Sequence, residues 1–254
     1  MMILTFKLVA TPLLILVATL ASRRWGQSLG GWLVGLPLTS GPVAVFLALE
    51  HGPVFARSAA IGSLEGTAAH VFFVLGYIRL ASGANWVVPL LVGTCAFILS
   101  GLTLAGFHLS SIAMTGLDLF LLTGALWLTG ISGAADERVQ APRWDLPLRM
   151  AIATLIVLGI TSFASMLGPT LSGLAATFPV FATILGIFAH RHGGPLAAQR
   201  VLRGLLLGLF SFVGFFLILS ETLERAHVVT AFVLATSVAF AIQWGSFLIL
   251  RHVR

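Results

Sequence analysis

The sequence predicts an all-α, polytopic membrane protein: about nine transmembrane helices, with two inverted-topology four-helix repeats joined by a connecting helix. Composition, the spacing of apolar runs and an internal repeat support this fold class. Of the 254 residues, 58% are hydrophobic and 9% are charged, whereas an ordinary soluble domain has roughly 25% charged residues. These few charges cannot cover a water-soluble globule. This excludes most soluble enzymes, nucleic-acid readers and secreted disulfide scaffolds.

The apolar runs are long enough to cross a bilayer. A spanning helix needs about 20 mostly apolar residues. Runs bounded by charged or turn-rich segments predict spans at 3–21, 31–49, 59–78, 86–104, 110–128, 150–166, 171–189, 201–220 and 228–250. We therefore divide the chain into a first repeat (1–106), a connector helix with a cytoplasmic loop (107–146) and a second repeat (147–254).

The basic residues predict the orientation of the chain, because cytoplasmic loops of membrane proteins carry an excess of Lys and Arg. The loops on the N-terminal side of the membrane hold three such residues: Lys7, Arg57 and Arg225. The opposite loops hold Arg23, Arg24, Arg79, Arg138, Arg143, Arg149, Arg191, Arg200, Arg203, Arg251 and Arg254. We expect the N-terminus outside and the C-terminus in the cytoplasm.

An internal repeat appears when the chain is shifted along itself so that Gly26 meets Gly168, a shift that we call the repeat offset. Eleven of the 41 positions from 26 to 66 are then identical, and most matches are Gly or Pro. Pro37 meets Pro179, and both copies contain a Gly-Pro pair (52–53 and 194–195) that is typical of a turn. Five spans separate equivalent positions, so the copies would enter the membrane from opposite sides. Shared Gly-rich composition is the alternative explanation.

The second copy carries a recognisable motif. Its residues Gly173-Leu174 and Phe178-Pro179-Val180-Phe181-Ala182 resemble the GlpM family of small four-helix bacterial inner-membrane proteins. The first copy keeps Gly31 and Leu36-Pro37-Leu38-Thr39-Ser40. The resemblance implies a tandem, inverted duplication of a GlpM-like unit in the bacterial cytoplasmic membrane.

The second span of each copy is the predicted substrate site. Proline removes a backbone donor inside a helix, and irregular backbone at membrane depth is tolerated where it is buried in protein or lines a water-filled cavity. The predicted substrate-binding residues are Pro37, Thr39 and Ser40 in the first copy and Thr177, Pro179 and Thr183 in the second. A plain proline kink, stapled by threonine hydroxyls, is the alternative.

Three ionisable residues lie inside predicted spans, where they are costly and indicate function by default. Glu65 and His70 lie in the third span and Asp118 in the fifth. A buried carboxylate can load and release a proton near neutral pH, so these three are the predicted proton-coupling residues. A structural hydrogen bond from a protonated acid is the alternative. His190-Arg191-His192 is expected to be a solvated turn.

The sequence favours a secondary transporter or flippase-like carrier of a small or lipid-linked solute. It contains no Walker A, HExxH or GxSxG motif and no Cys/His array with zinc spacing, so we expect no cofactor, metal or catalytic residue. The expected partners are the lipid bilayer and the solute, without nucleic acid, and a homo-oligomer stays open. The alternatives are a non-catalytic accessory protein and a membrane-embedded lipid-modifying enzyme.

Overall fold

A computed structural model describes residues 2–82, 85–107, 109–130, 142, 144–164 and 177–252, and within these ranges the chain is helical, without strands. The helices are α1 (Met2–Trp25), α2 (Gln27–Val34), α3 (Ser40–His51), α4 (Pro53–Ala81), α5 (Val87–Ala105), α6 (Ser111–Leu128), α7 (Asp145–Ala164), α8 (Val180–Thr222) and α9 (Val228–His252). The start of the predicted seventh span and the Gly173-Leu174 part of the motif lie outside the described residues.

Two glycines turn the chain sharply between helices. Gly52 has φ +85° and Gly194 has φ +73°, a region that glycine adopts without a steric cost. Proline follows each glycine as the first residue of the next helical segment, where its missing N–H costs nothing. Gly194 therefore divides α8 into two segments, which we call α8a (180–193) and α8b (195–222). Both predicted Gly-Pro turns are confirmed.

Six helices of the described chain are long and apolar enough to cross a membrane: α1, α4, α5, α6, α8 and α9. This is a multi-pass arrangement of apolar helices, as the composition predicts. The predicted span 31–49 is divided into α2 and α3 by a non-helical segment, and each part is too short to cross alone. The described part of the predicted span 171–189 and the span 201–220 fall in one helical run that turns at Gly194.

Polar contacts fix the direction of neighbouring helices. Arg57 Nε donates to the carbonyl of Ser220 at 3.0 Å, so the start of α4 lies beside the end of α8b. Ser111, at the start of α6, donates to Glu221 at the same end. At the other end, Gln199 donates to the carbonyl of Thr129 at 2.8 Å. We call these the Glu221 end and the Gln199 end of the bundle.

The core surrounds α4 and α8b. The largest cluster of buried apolar side chains combines residues of α3, α4, α5, α6, α8 and α9. α6 packs against both α4 and α8, while α1 packs against α2 and α7. Of the predicted site residues, Glu65 and His70 lie on the central helix α4, and Asp118 lies on α6, which packs against both central helices.

Helix positions in the two halves correspond closely at the repeat offset. Shifted in this way, α3 falls on 182–193 (α8a is 180–193), α4 on 195–223 (α8b is 195–222) and α5 on 229–247 (α9 is Val228–His252). α1 falls on 144–167, against α7 at Asp145–Ala164. α6 has no counterpart among the described helices and lies where the connector is predicted.

Candidate functional site

The first predicted site is a break in the helical backbone between α2 and α3. The N–H of Leu38 donates to the carbonyl of Leu36 at 2.8 Å, which closes a tight three-residue turn around Pro37. The carbonyl of Pro37 then accepts from Gly41 at 2.8 Å as the next helix begins. Thr39 and Ser40 lie at this junction and are half-buried. We call residues 35–39 the first break.

The second predicted site has the same local geometry. The N–H of Val180 donates to the carbonyl of Phe178 at 2.8 Å around Pro179, whose φ and ψ are −76° and 62°. The carbonyl of Pro179 accepts from Thr183 at 2.9 Å. Both hydrogen bonds correspond to those of the first break at the repeat offset. We call residues 177–179 the second break.

Each break lies against a glycine of the long helix in the other half. A β-carbon built on Gly35 would overlap Cα of Gly208 in α8b. A β-carbon built on Gly66 in α4 would lie 2.7 Å from Cβ of Thr177. These contacts correspond at the repeat offset, because position 35 becomes 177 and position 66 becomes 208. The two breaks are therefore packed in equivalent ways.

Small residues allow α2 to approach α8b backbone to backbone. A β-carbon on Gly31 would overlap the carbonyl oxygen of Val201, and one on Gly204 would overlap that of Ser28. Gly31 and Gly35 are four residues apart, as are Gly204 and Gly208, a spacing that brings helix backbones close together in membranes. These four glycines therefore lie where the two helix backbones are too close to leave room for a β-carbon.

His70 lies near the second break through a series of aromatic contacts. Its Nδ1 lies 2.6 Å from the carbonyl oxygen of Gly66, and since a carbonyl can only accept, Nδ1 donates this hydrogen bond. The ring of Phe97 makes an edge-to-face contact with His70, with the ring centroids 5.8 Å apart, and another with Phe178, at 5.7 Å. Glu65 is half-buried and directly precedes Gly66, so it lies at the same level of α4 as the second break, while His70 is linked to that break through Phe97.

Asp118 is completely buried on the face of α6 that packs into the core. Neither carboxyl oxygen has a hydrogen-bond partner among the described residues, and the hydroxyl of Thr115, one turn earlier, has none either. Buried polar groups are nearly always hydrogen-bonded, so this carboxyl is an exception that needs an explanation.

Glu65 and Asp118 lie at a similar depth. Arg57 on α4 and Ser111 on α6 are both tied to the Glu221 end. Position 65 is eight positions beyond 57, and position 118 is seven beyond 111, so each carboxyl group lies roughly two helical turns from that end. α4 and α6 pack against each other. The structure thus puts both carboxyl groups in adjacent helices, near the level of Thr177.

The first break borders a cleft of about 380 Å³ between α3, α8b and α9. Apart from the hydroxyl of Thr236, its lining side chains are apolar and include Pro37, Phe215 and Phe232. Thr39 lines a different and smaller cavity of about 30 Å³ beside α1 and Phe181. The predicted substrate site would place polar groups of this break on a cavity, whereas the larger cavity at the break is lined mainly by apolar side chains.

A buried charge cluster at the Gln199 end was missed by sequence reasoning. Oδ2 of the fully buried Asp145 lies 2.9 Å from Nη2 of Arg23 and 2.9 Å from Nε of Arg149. His192 Nδ1 lies 3.6 Å from Oδ1 of the same carboxylate. Asp145 and Arg149 are four residues apart, a spacing typical of helical ion pairs, and this was the available signal.

The histidine-rich turn is not solvated, which corrects the expectation for 190–192. His190 is 9% exposed, and its Nδ1 lies 3.2 Å from the hydroxyl of Tyr77. His192 bonds the carbonyl of Phe188 at 2.9 Å and stacks on that ring. The reason is tertiary: α8a ends against α4 and α7, so both imidazoles face helices instead of water. Only Arg191 between them is exposed.

Comparisons with protein-family models, with curated proteins and with solved structures gave no match.

Proposed function

We propose that this multi-pass membrane protein is a secondary transporter or flippase-like carrier of a small or lipid-linked solute. The observation that carries the proposal is the matched pair of backbone breaks, each packed against a glycine of the opposite half. Transporters built from inverted repeats bind their substrates near the bilayer midplane, at discontinuous helices between the repeats. The candidate binding residues lie in the breaks or in the first helical turn after them: Pro37, Thr39, Ser40, Thr177, Pro179 and Thr183.

The proposed architecture has nine membrane crossings in two inverted, GlpM-like repeats, with α6 as the connector. The shared helix positions at the repeat offset support it. So does the placement of the turns, because Gly52 directly precedes α4, which starts at the Glu221 end, whereas Gly194 lies two residues from His192 at the other end. The arginine distribution supports a cytoplasmic Gln199 end in a bacterial inner membrane.

Asp118 is the foremost proposed proton-coupling group. Its oxygens are buried without hydrogen-bond partners in the part of the chain that the structure describes, and a carboxyl in such surroundings favours its neutral form until the surroundings change. Movement of one repeat against the other would supply that change. Glu65 and His70, beside the second break, complete the proposed proton path.

A ligand screen tests the proposal. The detergent-purified protein is heated with amino acids, sugars, organic acids, inorganic phosphate, Na⁺, K⁺ or lipids at two pH values. A ligand at a hundred times its dissociation constant stabilises the folded state by about 2.7 kcal/mol, which raises Tm measurably. A stabilising solute is then added to proteoliposomes that contain a trapped pH dye, and its gradient should drive proton movement.

Site variants distinguish a loss of transport from a general loss of stability. Asp118→Asn should keep the Tm shift by the solute but lose solute-driven proton movement, while Glu50→Gln, on an exposed residue, should keep both. Stabilisation by lipids alone, with no solute response, would overturn the solute carrier and favour a lipid-handling or accessory role.

A further inference from the structure

We propose that the Arg23–Asp145–His192 cluster is a gate, which closes the route from the Gln199 end to the second break in this conformation. This inference rests on the proposed carrier function. The three residues belong to α1, α7 and α8a, so the cluster joins the first helix of one repeat to two helices of the other.

The cluster is centred on a fully buried carboxylate, and Arg23 lies at its partly exposed edge. Asp145 is fully buried, and the Arg149 side chain is 7% exposed between that carboxylate and the ring of Phe188, whose centroid lies 4.7 Å from the guanidinium carbon. His192 stacks on the same ring, with the planes 13° apart. Loss of Asp145 would leave Arg149 as an uncompensated buried charge. Loss of Arg23 would remove the ion pair that joins α1 to this carboxylate, so either change should drive the helices apart.

At the opposite end of the bundle the ion pair between helices is exposed. There Arg57 Nε lies 4.0 Å from Glu224, and both side chains are about two-fifths exposed. Exposed pairs of this kind contribute little. The contrast between the two ends indicates a conformation closed at the Gln199 end.

Behind the cluster, buried hydroxyls extend toward the second break. Thr19 and Ser22 on α1 and Thr183 on α8a are at most 4% exposed, and their hydroxyls have no hydrogen-bond partner among the described residues. Hydroxyls in helices commonly bond the carbonyl one turn earlier, which these do not. Ala18 of α1 and Leu185 of α8a belong to one cluster of buried apolar side chains, so the two helices pack together at this depth. The Ser22 hydroxyl lies against Gly30 of α2. Polar groups along a buried helix contact are the lining that a water-accessible route would use once the gate opens.

Cysteine accessibility tests the gate without relying on transport. The single native cysteine is exposed, so Cys95→Ala provides the background, and Thr19→Cys is the reporter one turn behind Arg23. A water-soluble methanethiosulfonate reagent is applied to the purified protein. We expect the cysteine of Thr19→Cys to be labelled slowly in the Cys95→Ala background. Labelling should become at least tenfold faster when Arg23→Gln or Asp145→Asn is added.

Arg24→Gln is the matched control, because Arg24 is the exposed neighbour of Arg23 and lies outside the cluster. With Arg24→Gln added, the Thr19→Cys reporter should be labelled at the same rate as without it. Equal rates in all variants, or fast labelling in the background, would overturn the gate. A variant is used only if its gel-filtration profile is unchanged, because Asp145→Asn could unfold the protein. If Asp145→Asn fails this control, Arg23→Gln alone tests the gate. Accelerated labelling in a protein that moves no solute would support the gate and reject the carrier.

Discussion

Thr177 packs against the bare backbone of Gly66, in the position that Gly35 takes against Gly208 in the other half of the molecule. This packing explains why α4 and α8b each carry a glycine at the equivalent position, Gly66 in one and Gly208 in the other. The helix break that faces each glycine comes close enough to exclude a β-carbon.

Gly66→Ala should therefore destabilise the protein. The added β-carbon would lie 2.7 Å from Cβ of Thr177, and overpacking of this kind costs about 1–3 kcal/mol. Gly62→Ala is the matched control in the same helix, because no atom of the described residues lies within 4 Å of a β-carbon built there, and alanine favours helix. Thermal unfolding in detergent gives both values. Equal stability of the two variants would contradict the close packing of the second break.

Asp118→Leu should stabilise the fold while abolishing solute-driven proton movement. An unpaired buried polar group costs about 1–3 kcal/mol, and leucine of similar size removes that cost. Tm and the trapped-dye assay in proteoliposomes measure the two effects. A lower Tm would indicate that the carboxyl has a structural role instead.

Asp145→Ala should be among the most harmful single substitutions. It would leave Arg23 and Arg149 without their shared carboxylate, and breaking a buried pair costs about 3–5 kcal/mol. Glu224→Ala removes a carboxylate from an exposed pair and should cost less than about 1 kcal/mol. Denaturant unfolding compares them, and similar losses would show that the Asp145 cluster contributes no more than a surface pair.

Pro37→Ala and Pro179→Ala should reduce solute binding more than stability. Each substitution restores a backbone N–H at a break where the proline supplies none. Pro12, inside the continuous helix α1, provides the control Pro12→Ala. The measurement is the Tm shift caused by the solute found in the screen. An unchanged shift in both break variants would exclude the breaks as the binding site.

Sequence reasoning predicted most of the described helices and both Gly-Pro turns because their signals are local, whereas the predicted span 31–49 is interrupted and the count of nine spans stays a prediction. Gly52-Pro53 and Gly194-Pro195 fix turns through the backbone preferences of two adjacent residues, and the apolar runs fix the helices between them. Proline and glycine also indicated the two breaks. The GlpM resemblance and the inversion of the repeats stay predictions.

The contacts between distant segments could not be predicted. Arg23 and Asp145 are far apart in sequence, and each had an adequate explanation as part of a charged loop. Nothing in the periodicity shows that α1 and α8a end where α7 begins. For the same reason the burial of His190 against Tyr77 was missed, since only the packing of α8a on α4 brings the two rings together.

The contact between Gly35 and Gly208 has a consequence for synthesis on the ribosome. About 170 residues separate the two glycines, and at roughly 5–20 residues per second the ribosome needs about 9 to 35 s to add them. During this interval the short helix α2 and the interrupted backbone after it lack α8b, the helix that later covers their glycines. The nascent first half must therefore wait for the second, so an insertase or chaperone that shields it would raise the yield of folded protein.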